Sequence, residues 1–397
     1  MTSGRYDCVV VGGGVAGLMT AARLSRYGAA VGVLERDLLG AGATTRNHGM
    51  VHSGALYARW HPEVVPTCLQ AQAAYRSSFP KAISDIDTCC YFGTPATMGD
   101  YATRWRRDNL AAHEIDTQQL CELLTLTGQP PVQGFAVQEL LIDTPALITD
   151  LAARCVADGV DLLLGTRVSR VVTADGAVRG VDTTTGSIDA ANVVVCNGIG
   201  THSVLEQSAS QVTGELRSRL EMMMAFPGEL PCALIGLEFG WPALAPAAAG
   251  GVVLASRYGA PQRFVRGPAR WPVPTADTVA LTGELSQWLR PGLLDETAGV
   301  AWMCSKTEHT RGSGDQWGTE PNYAVIDHRD RDGITGWWTV LPGKMTLALH
   351  ASRTVAQAVT GIEPPLAMPA RHEGSLVDVA ELVDVTPWTA HQEAIPR

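Results

Sequence analysis

The chain has 397 residues, of which 46% are hydrophobic and 18% are charged, and its formal net charge is −10. This length predicts a globular protein of two or three domains, and the negative charge excludes the basic surface that binding to nucleic acid requires. The longest apolar stretch, residues 243–255, is interrupted by Pro246 and two glycines, so no integral membrane segment is predicted.

The nine cysteines show no C-x-x-C spacing. They are typical of reduced thiols, and they predict neither a disulfide framework nor a metal site. The N-terminus lacks a basic segment followed by an apolar one, because a glycine-rich strand begins almost at once. We therefore expect a cytoplasmic protein.

The first 35 residues predict a βαβ unit. An apolar strand, residues 8–11, leads into G-x-G-x-x-G at Gly12, Gly14 and Gly17. These glycines suit a tight turn, an approach to a pyrophosphate and close packing of helix on strand. A helix to Gly28 and a second strand, residues 29–34, lead to Glu35, whose carboxylate is positioned for ribose hydroxyls. The unit predicts dinucleotide binding, and Glu35 disfavours a 2′-phosphate.

A second chemical motif follows at residues 46–57, which read RNHGMVHSGALY. Two histidines, an arginine and a serine lie among glycines, which favours a backbone packed against a flat ligand. Further along, helices are predicted at residues 63–79, 118–126 and 145–158, and strands at 162–164, 168–172 and 178–181.

The second half of the chain is less regular. Residues 191–200 predict a strand, a glycine turn and a helix, whereas residues 211–319 are rich in Trp, Pro and Gly and fit an antiparallel sheet with long loops. Residues 324–341 predict two strands joined by a charged turn, and a helix then runs to about residue 359. The proline-rich tail from Pro364 is expected to wrap the surface.

These motifs together resemble one family. Their order is the glycine turn with Glu35, the RNHGxxHSG segment, a strand ending in Cys196-Asn-Gly198, the IDHRDRDGIxG segment and a final Gly343-Lys-x-Thr346. The chain is similar to the FAD-dependent oxidoreductases of the glycerol-3-phosphate dehydrogenase and D-amino-acid oxidase superfamily. Its motifs are most similar to those of the flavin subunit of anaerobic glycerol-3-phosphate dehydrogenase.

The resemblance implies an α/β fold with two parts. One is a Rossmann-type, glutathione-reductase-like FAD-binding domain made of residues 1–85, 140–210 and 320–365. The other is an antiparallel-sheet, substrate-binding cap made of residues 86–139 and 211–319, with a tail at 366–397. The implied cofactor is noncovalent FAD; Cys304 falls near the position where some relatives attach flavin, but in a poor register.

The residues predicted to contact FAD come from the glycine turn, the motif after it, one later strand, the second glycine turn and the Gly-Lys segment. They are Gly12, Gly14, Val15, Ala16, Gly17, Glu35, Arg36, Thr44, Thr45, Arg46, Asn47, His48, Gly49, Ser53, Val168, Asn197, Gly198, Gly343, Lys344, Met345 and Thr346.

The implied reaction removes hydride from a C–H bond bearing OH or NH₂ to flavin N5. Three residues are the candidates for catalysis. His52 is the first candidate base, with flavin orientation and plain packing as alternatives, and His48 is the second. Lys344, one of only three lysines in the chain, is expected to add charge near the flavin or to hold a substrate oxygen, with a solvated lysine in a turn as the alternative. The electron acceptor is left open between oxygen, a quinone and a carrier protein.

The substrate is expected to be small, polar and not phosphorylated. Relatives carry arginines where this chain has Leu56, residues 300–303 and Glu320-Pro321. A desolvated phosphate needs such guanidinium partners, so their loss argues against glycerol 3-phosphate. The predicted substrate contacts are Tyr57, Trp302, Trp338 and His309, with a surface loop as the alternative for His309.

Two other functions remain open from the sequence. A flavin monooxygenase opens with the same glycine motif, but it usually carries a late Gly-Asp pair, whereas this chain has Gly343-Lys344. A flavin-fold scaffold without catalytic activity would also explain the missing arginines, although His52 and Lys344 argue against it.

Overall fold

The computed structural model describes residues 5–257, 263–267, 269, 271–310, 322–369 and 378–390. Glu320 and Pro321, where relatives carry an arginine, lie outside these residues. The fold is mixed α/β. Among the helices of the described residues, none combines the length and the apolar character needed to cross a membrane.

Nineteen strands form within the described residues. In chain order they are β1 (Tyr6–Val11), β2 (Val31–Leu34), β3 (Met50–Val51), β4 (Thr88–Gly93), β5 (Ala112–Ile115), β6 (Gln133–Gln138), β7 (Leu140–Leu141), β8 (Asp161–Leu163), β9 (Val168–Ala174), β10 (Ala177–Thr183), β11 (Gly186–Val195), β12 (Leu216–Pro227), β13 (Ala233–Gly236), β14 (Pro242–Pro246), β15 (Val252–Arg257), β16 (Arg263–Val265), β17 (Val300–His309), β18 (Ala324–Asp327) and β19 (Trp337–Leu341).

Nine α-helices form in the same described part of the chain. They are α1 (Val15–Arg26), α2 (Val65–Ser78), α3 (Pro95–Arg107), α4 (Thr117–Leu123), α5 (Thr144–Ala157), α6 (Thr201–Gln207), α7 (Thr275–Trp288), α8 (His328–Asp332) and α9 (Ala348–Thr360). The predicted βαβ unit is confirmed as β1, α1 and β2, and the predicted helices at residues 63–79, 118–126 and 145–158 correspond to α2, α4 and α5.

The first large sheet has eight strands in the order β18-β19-β11-β1-β2-β8, with β10 and β9 continuing from β11. The strands from β19 to β8 are parallel, whereas β18 and the β9–β10–β11 meander are antiparallel. The central strand β1 is apolar along Cys8–Val11, as a parallel strand buried on both faces requires. The parallel arrangement brings the carboxyl ends of β1, β11 and β19 to one edge.

The second large sheet has nine strands in the order β16-β12-β15-β14-β13-β4-β6-β5, with β17 paired to β12. All of these strands lie within residues 88–138 and 216–309. The long β12–β17 pair joins Leu216–Ala225 to Val300–His309 without a register shift. Because side chains alternate along a strand, one face of this pair carries Arg219 and Lys306 directly opposite each other.

Two details of this region differ from the sequence prediction. The sheet is not purely antiparallel, because β13 pairs in parallel with β4. The region also contains a helix, α7, whereas residues 211–319 were predicted as a sheet with long loops. Leu281, Leu285 and Trp288 of α7 lie on one helical face and are buried, so tertiary packing stabilises a helix whose flanks are rich in proline and glycine.

The predicted charged turn after β18 is a short helix, α8. The side chain of Asp327 accepts the backbone N–H of Arg329, and Gly333 ends the helix with φ 72°. Buried His328 stacks on Trp337 with ring centroids 3.7 Å apart, and its Nδ1 lies 2.6 Å from Asp332. The charged motif is therefore a structural anchor of the sheet.

The tail was expected to wrap the surface. Its described parts, residues 364–369 and 378–390, also pack into the protein, because Met368 and Trp388 are buried. Leu39 pairs with Val383 through a parallel bridge, and Asp384 forms an ion pair with Arg46 at 3.1 Å. Trp388 then packs against Trp302 of β17, with ring centroids 5.3 Å apart. This segment therefore contacts both large sheets or the loops that follow their strands.

Candidate active site

The turn between β1 and α1 is shaped by close backbone contacts. Gly12 has φ +107°, and a Cβ there would lie 2.7 Å from Cα of Asn197. A Cβ on Gly17 would lie 2.0 Å from the carbonyl oxygen of Gly12. Both positions require glycine, one for its left-handed backbone and one for the packing of α1 on β1. The turn thus lies beside the second glycine turn, at Asn197-Gly198.

The N-terminus of α1 is suited to an anion. Gly14 precedes the helix and offers no side-chain cap, and the first turn contains no acidic residue. Thr44 Oγ1 accepts the N–H of Val15 at 3.2 Å, and Glu35 Oε2 accepts that of Gly13 at 2.8 Å. The positive end of the helix dipole and the glycine backbone at its start suit a pyrophosphate, and the Glu35 carboxylate beside this turn suits a ribose. This donor set fits FAD.

The other predicted FAD contacts fall around this turn. Val168 packs in the same core cluster as Val11 and Leu34, below the end of β2. Thr45 donates to the carbonyl of Gly40, and Arg36 pairs with Asp37 on the surface. Asn47 holds its own loop, accepting Gly49 N–H at 2.7 Å. Val15, Ala16, Gly17 and Gly198 are backbone neighbours of the turns.

A cluster of four side chains forms where residues 52–54, here called the HSG segment, meet residues 343–346, the Gly-Lys segment. Its members are His48, His52, Tyr57 and Lys344. The His52 ring packs edge-on against His48 and Tyr57, with centroids 5.6 and 5.5 Å away. The ammonium of Lys344 lies 4.3 Å from the centre of the Tyr57 ring. Thr346 Oγ1 accepts the backbone N–H of His52 at 2.9 Å and so joins the two segments. Segments that are far apart in the sequence are thus brought together.

Burial lowers the pKa values of the basic groups in this cluster. Burial lowers the pKa of His52 well below its ordinary range, and the charges of His48 and Lys344 lower it further. Burial also lowers the pKa of His48. Burial, assisted by Lys306, lowers the pKa of Lys344 to about 7. Within the described residues, His52 Nδ1 is buried without a hydrogen-bond partner, and Lys344 has no ion-pair partner.

The β12–β17 strand pair supplies a charged wall close to Lys344. Buried Glu308 forms ion pairs with Lys306 and with Arg219, the latter at 3.2 Å, and Arg219 also pairs with Glu221. Burial alone would raise the pKa of Glu308, but Lys306 and Arg219 hold it below its usual range. Arg219 and Lys306 are therefore already engaged by carboxylates.

Behind the HSG segment lies a fully buried carboxylate, Glu139, between β6 and β7. It accepts hydrogen bonds from the backbone and side chain of Ser53, from Tyr91 and from Gln72. Burial raises its pKa to about 7, although the hydrogen bonds of Tyr91 and Ser53 oppose the rise. Ser53, predicted to contact FAD, thus uses its hydroxyl within the protein.

Two of the predicted substrate contacts, Trp338 and Trp302, need correction, and for His309 the surface-loop alternative is wrong, whereas its substrate role stays a prediction. Trp338 is buried in the core between the first sheet and helices α1 and α9, so it is not at the cluster. Trp302 packs on Trp388 and donates its indole N–H to the carbonyl of Arg46 at 2.9 Å. Its ring and its N–H are thus used in contacts within the protein. His309 is not in a surface loop: it is a buried residue of β17 whose Nε2 lies 2.8 Å from Glu215.

The remaining predictions near the site are compatible with the geometry. Tyr57 contacts the cluster directly, as predicted for a substrate residue. Gly343 has φ +65° and abuts the carbonyl of Asn322, and Met345 accepts the hydroxyl of Tyr75 through its carbonyl. Cys304 is buried, and burial raises the pKa of its thiol to about 12, which disfavours the thiolate.

The sequence analysis missed Glu139, Arg219, Lys306 and Glu308. Each carried a readable signal. Glu139 interrupts a largely apolar segment, residues 135–142, where a charged residue needs a special reason. Arg219 and Lys306 belong to strands with charges at every second position, and Lys306 is one of three lysines in the chain. What the sequence lacked was the pairing register that makes these strands neighbours.

The fold and the site together define a dinucleotide-binding oxidoreductase. A family model described as FAD dependent oxidoreductase, the DAO family, matches residues 7–335. The chain belongs to this family of flavoenzymes, which confirms the superfamily and the FAD cofactor predicted from the motifs.

The chain is also similar to individual proteins of this kind. The chain is 31% identical to sarcosine oxidase subunit beta of Rhodobacter capsulatus over 48% of this chain and 49% of that protein. It is 25% identical to a subunit of the anaerobic glycerol-3-phosphate dehydrogenase of Haemophilus influenzae over 44% of this chain and 32% of that one. The matched segments thus span half or less of these relatives. The solved structure of NikD, an unusual amino acid oxidase essential for nikkomycin biosynthesis, has a similar fold. The two structures superpose with a TM-score of 0.74 and 18% sequence identity, and the match covers 96% of this chain and 98% of NikD.

Proposed function

We propose that this chain oxidises a small, non-phosphorylated amine or hydroxy acid that carries a carboxylate, with FAD as the two-electron acceptor. The observation that carries the proposal is Lys344. It is the cation at the cluster that forms no ion pair with a carboxylate of the described residues, and it lies beside His52 and Tyr57. A single ammonium in a partly desolvated site suits a carboxylate.

The two large sheets take separate roles in this proposal. The eight-stranded sheet is a Rossmann-type unit that binds FAD, built from residues 1–85, 140–210 and 320–365. The nine-stranded sheet belongs to the proposed substrate-binding cap, residues 86–139 and 211–319, and residues 366–397 are a separate C-terminal tail. The glycine turn at the start of α1, which has no acidic residue in its first turn, and Glu35 support the first role, and the charged β12–β17 wall beside Lys344 supports the second.

Bound FAD would supply the hydride acceptor, and the residues of the chain bind and orient the substrate. Lys344 holds the carboxylate, and Tyr57 packs against the substrate beside it. His52 is neutral, and its free Nδ1 can accept a hydrogen bond from the substrate amine or hydroxyl. Because an imidazolium is costly at this position, His52 is better suited to orienting the substrate than to keeping its proton.

A phosphorylated substrate is disfavoured by the same geometry. Leu56, which stands where relatives carry an arginine, packs against the apolar cluster under the second sheet. Arg219 is committed to Glu308 and Glu221. At the cluster of His48, His52 and Tyr57 the described residues offer the single ammonium of Lys344, whereas a desolvated phosphate dianion needs several charge-assisted contacts, each contributing roughly 2 kcal/mol. The electron acceptor is proposed to be oxygen, a quinone or a carrier protein, in the cytoplasm.

Amines are favoured over alcohols because of the relatives. The names of sarcosine oxidase subunit beta and of NikD describe enzymes of amine or amino acid oxidation. A substrate that carries both an amine and a carboxylate would place its carboxylate on the Lys344 ammonium.

The test is anaerobic bleaching of bound FAD by a substrate panel. We expect one or more amino or N-methylamino acids to reduce the FAD at least a hundredfold faster than glycerol 3-phosphate at equal concentration. The matched control is the corresponding amine without its carboxylate, which should be at least tenfold slower. Efficient bleaching by glycerol 3-phosphate would contradict the proposal, and bleaching by NADPH alone would favour a monooxygenase.

A further inference from the structure

The cluster around Glu139 has a feature that packing alone does not require. Glu139 is 1% exposed, and within the described residues it has no ion-pair partner. A buried carboxylate without a cation is costly, so it persists only where hydrogen bonds satisfy it. The hydrogen bonds at Glu139 come from Ser53, Gln72 and Tyr91, which belong to three different segments of the chain.

The donors divide between the two carboxylate oxygens. Oε2 accepts two N–H groups, the backbone of Ser53 and the side chain of Gln72, the latter at 3.1 Å. Oε1 accepts two hydroxyls, Ser53 Oγ at 2.8 Å and Tyr91 Oη at 2.7 Å. The carboxylate therefore joins the HSG segment to α2, which carries Gln72, and to β4 of the second sheet, which carries Tyr91.

The HSG segment is held from both sides. Glu139 accepts the backbone N–H of Ser53, and the adjacent residue His52 donates its backbone N–H to Thr346 of the Gly-Lys segment. Gly54 follows with φ +98°, and a Cβ there would lie 2.8 Å from Cα of Val65. Gln72 adds a second tie, because its amide also donates to the carbonyl of Val51 at 2.9 Å. The ring of His52 has little freedom as long as Ser53 is fixed.

We propose that Glu139 is a positioning residue, which fixes Ser53 and thereby sets the place of the His52 ring against FAD and substrate. This inference rests on the proposed function for the role of His52. Glu139 itself touches neither the cluster's free Nδ1 nor the Lys344 ammonium, so its effect is transmitted through the backbone of residues 52–53.

Substitution by glutamine should preserve this role. In Glu139→Gln the side-chain amide can direct its oxygen to the two N–H donors and its NH₂ to the two hydroxyls, which accept as well as donate. Glu139→Ala instead leaves Ser53 N–H and Gln72 without acceptors and frees the segment. The pair of variants therefore separates hydrogen-bond geometry from charge.

The experiment compares purified Glu139→Ala and Glu139→Gln with wild type, with Glu238→Gln as the matched control. Glu238 is also a carboxylate that accepts a backbone N–H and a hydroxyl, both from Thr94, but it does so at the start of α3. The readouts are the visible circular dichroism of bound FAD, the dissociation constant for FAD and the rate of anaerobic bleaching.

We expect Glu139→Ala to change the visible circular dichroism of the flavin and to slow bleaching at least tenfold. Glu139→Gln should retain the wild-type spectrum and a rate within threefold of wild type, and Glu238→Gln should match wild type. A wild-type spectrum and rate in folded Glu139→Ala would overturn the proposal. A tenfold slowing in Glu139→Gln with an unchanged spectrum would also overturn it, because charge rather than position would then matter.

If Glu139→Ala does not fold, Tyr91→Phe decides the matter. It removes one hydroxyl from Oε1, and we expect an altered flavin spectrum and at least threefold slower bleaching. A wild-type spectrum and rate in folded Tyr91→Phe would overturn the proposal. Failure of every substrate to bleach the wild type would contradict the proposed reaction instead, and the circular dichroism comparison would still decide the role of Glu139.

Discussion

Replacing Gly17 by alanine is expected to yield a protein that no longer retains FAD. The new Cβ would lie 2.0 Å from the carbonyl oxygen of Gly12 and 3.4 Å from Val10 Cγ1, and the first of these atoms belongs to the backbone. The helix α1 must then move away from β1, and the N–H groups at its start no longer point together at the pyrophosphate position. We expect the dissociation constant for FAD, measured by flavin fluorescence, to rise at least a hundredfold.

The matched control is Gly99→Ala, the same substitution in helix α3. A Cβ at Gly99 has no atom within 4 Å, so the change should leave FAD binding within twofold of wild type. It should also stabilise the exposed helix by about 0.5–1 kcal/mol, because alanine has the higher helix propensity. Retention of FAD by Gly17→Ala with wild-type affinity would show that the glycine turn does not contact the cofactor.

Lys344→Met is expected to retain FAD yet slow its anaerobic bleaching by the best substrate at least tenfold. Methionine keeps the unbranched chain against Tyr57 but removes the ammonium that we propose holds the carboxylate. The exposed lysine Lys81 provides the control, since Lys81→Met should bleach at the wild-type rate. An unchanged rate in Lys344→Met would remove this residue from the mechanism.

The same lysine sets the expected pH dependence. Burial and Lys306 lower the pKa of Lys344 to about 7, and only the protonated amine attracts a carboxylate. The value of kcat/KM should therefore fall as the pH rises through that pKa, because the cation is lost. In Lys344→Met this alkaline decline should be absent. A decline of the same size in the variant would assign it to another group.

The sequence predicted the elements that have strong local signals. The G-x-G-x-x-G turn, its flanking strands and helix α5 with its Pro145 and Gly159 follow rules that act within about ten residues, and the structure contains them. The helix α7 was missed because its flanks resemble loops, and only burial of Leu281 and Leu285 against the second sheet stabilises it.

The site was predicted only in part for a related reason. His52, Tyr57 and Lys344 were identified from motifs, and the structure brings their side chains together. Arg219 and Glu139 depend on strand register and on contacts between distant segments, which no local pattern specifies. Trp302 and Trp338 were misassigned because a tryptophan near a site and a tryptophan in a core look alike in sequence.

The most direct test of the account is the flavin content of the purified chain. We expect a yellow protein that binds one FAD per chain and releases it intact when denatured, since we propose that Glu35 and the start of α1 hold the nucleotide without a covalent bond. A chain that takes up nicotinamide dinucleotide but no FAD, even when FAD is supplied during refolding, would contradict the proposed FAD site between the glycine turn and Lys344.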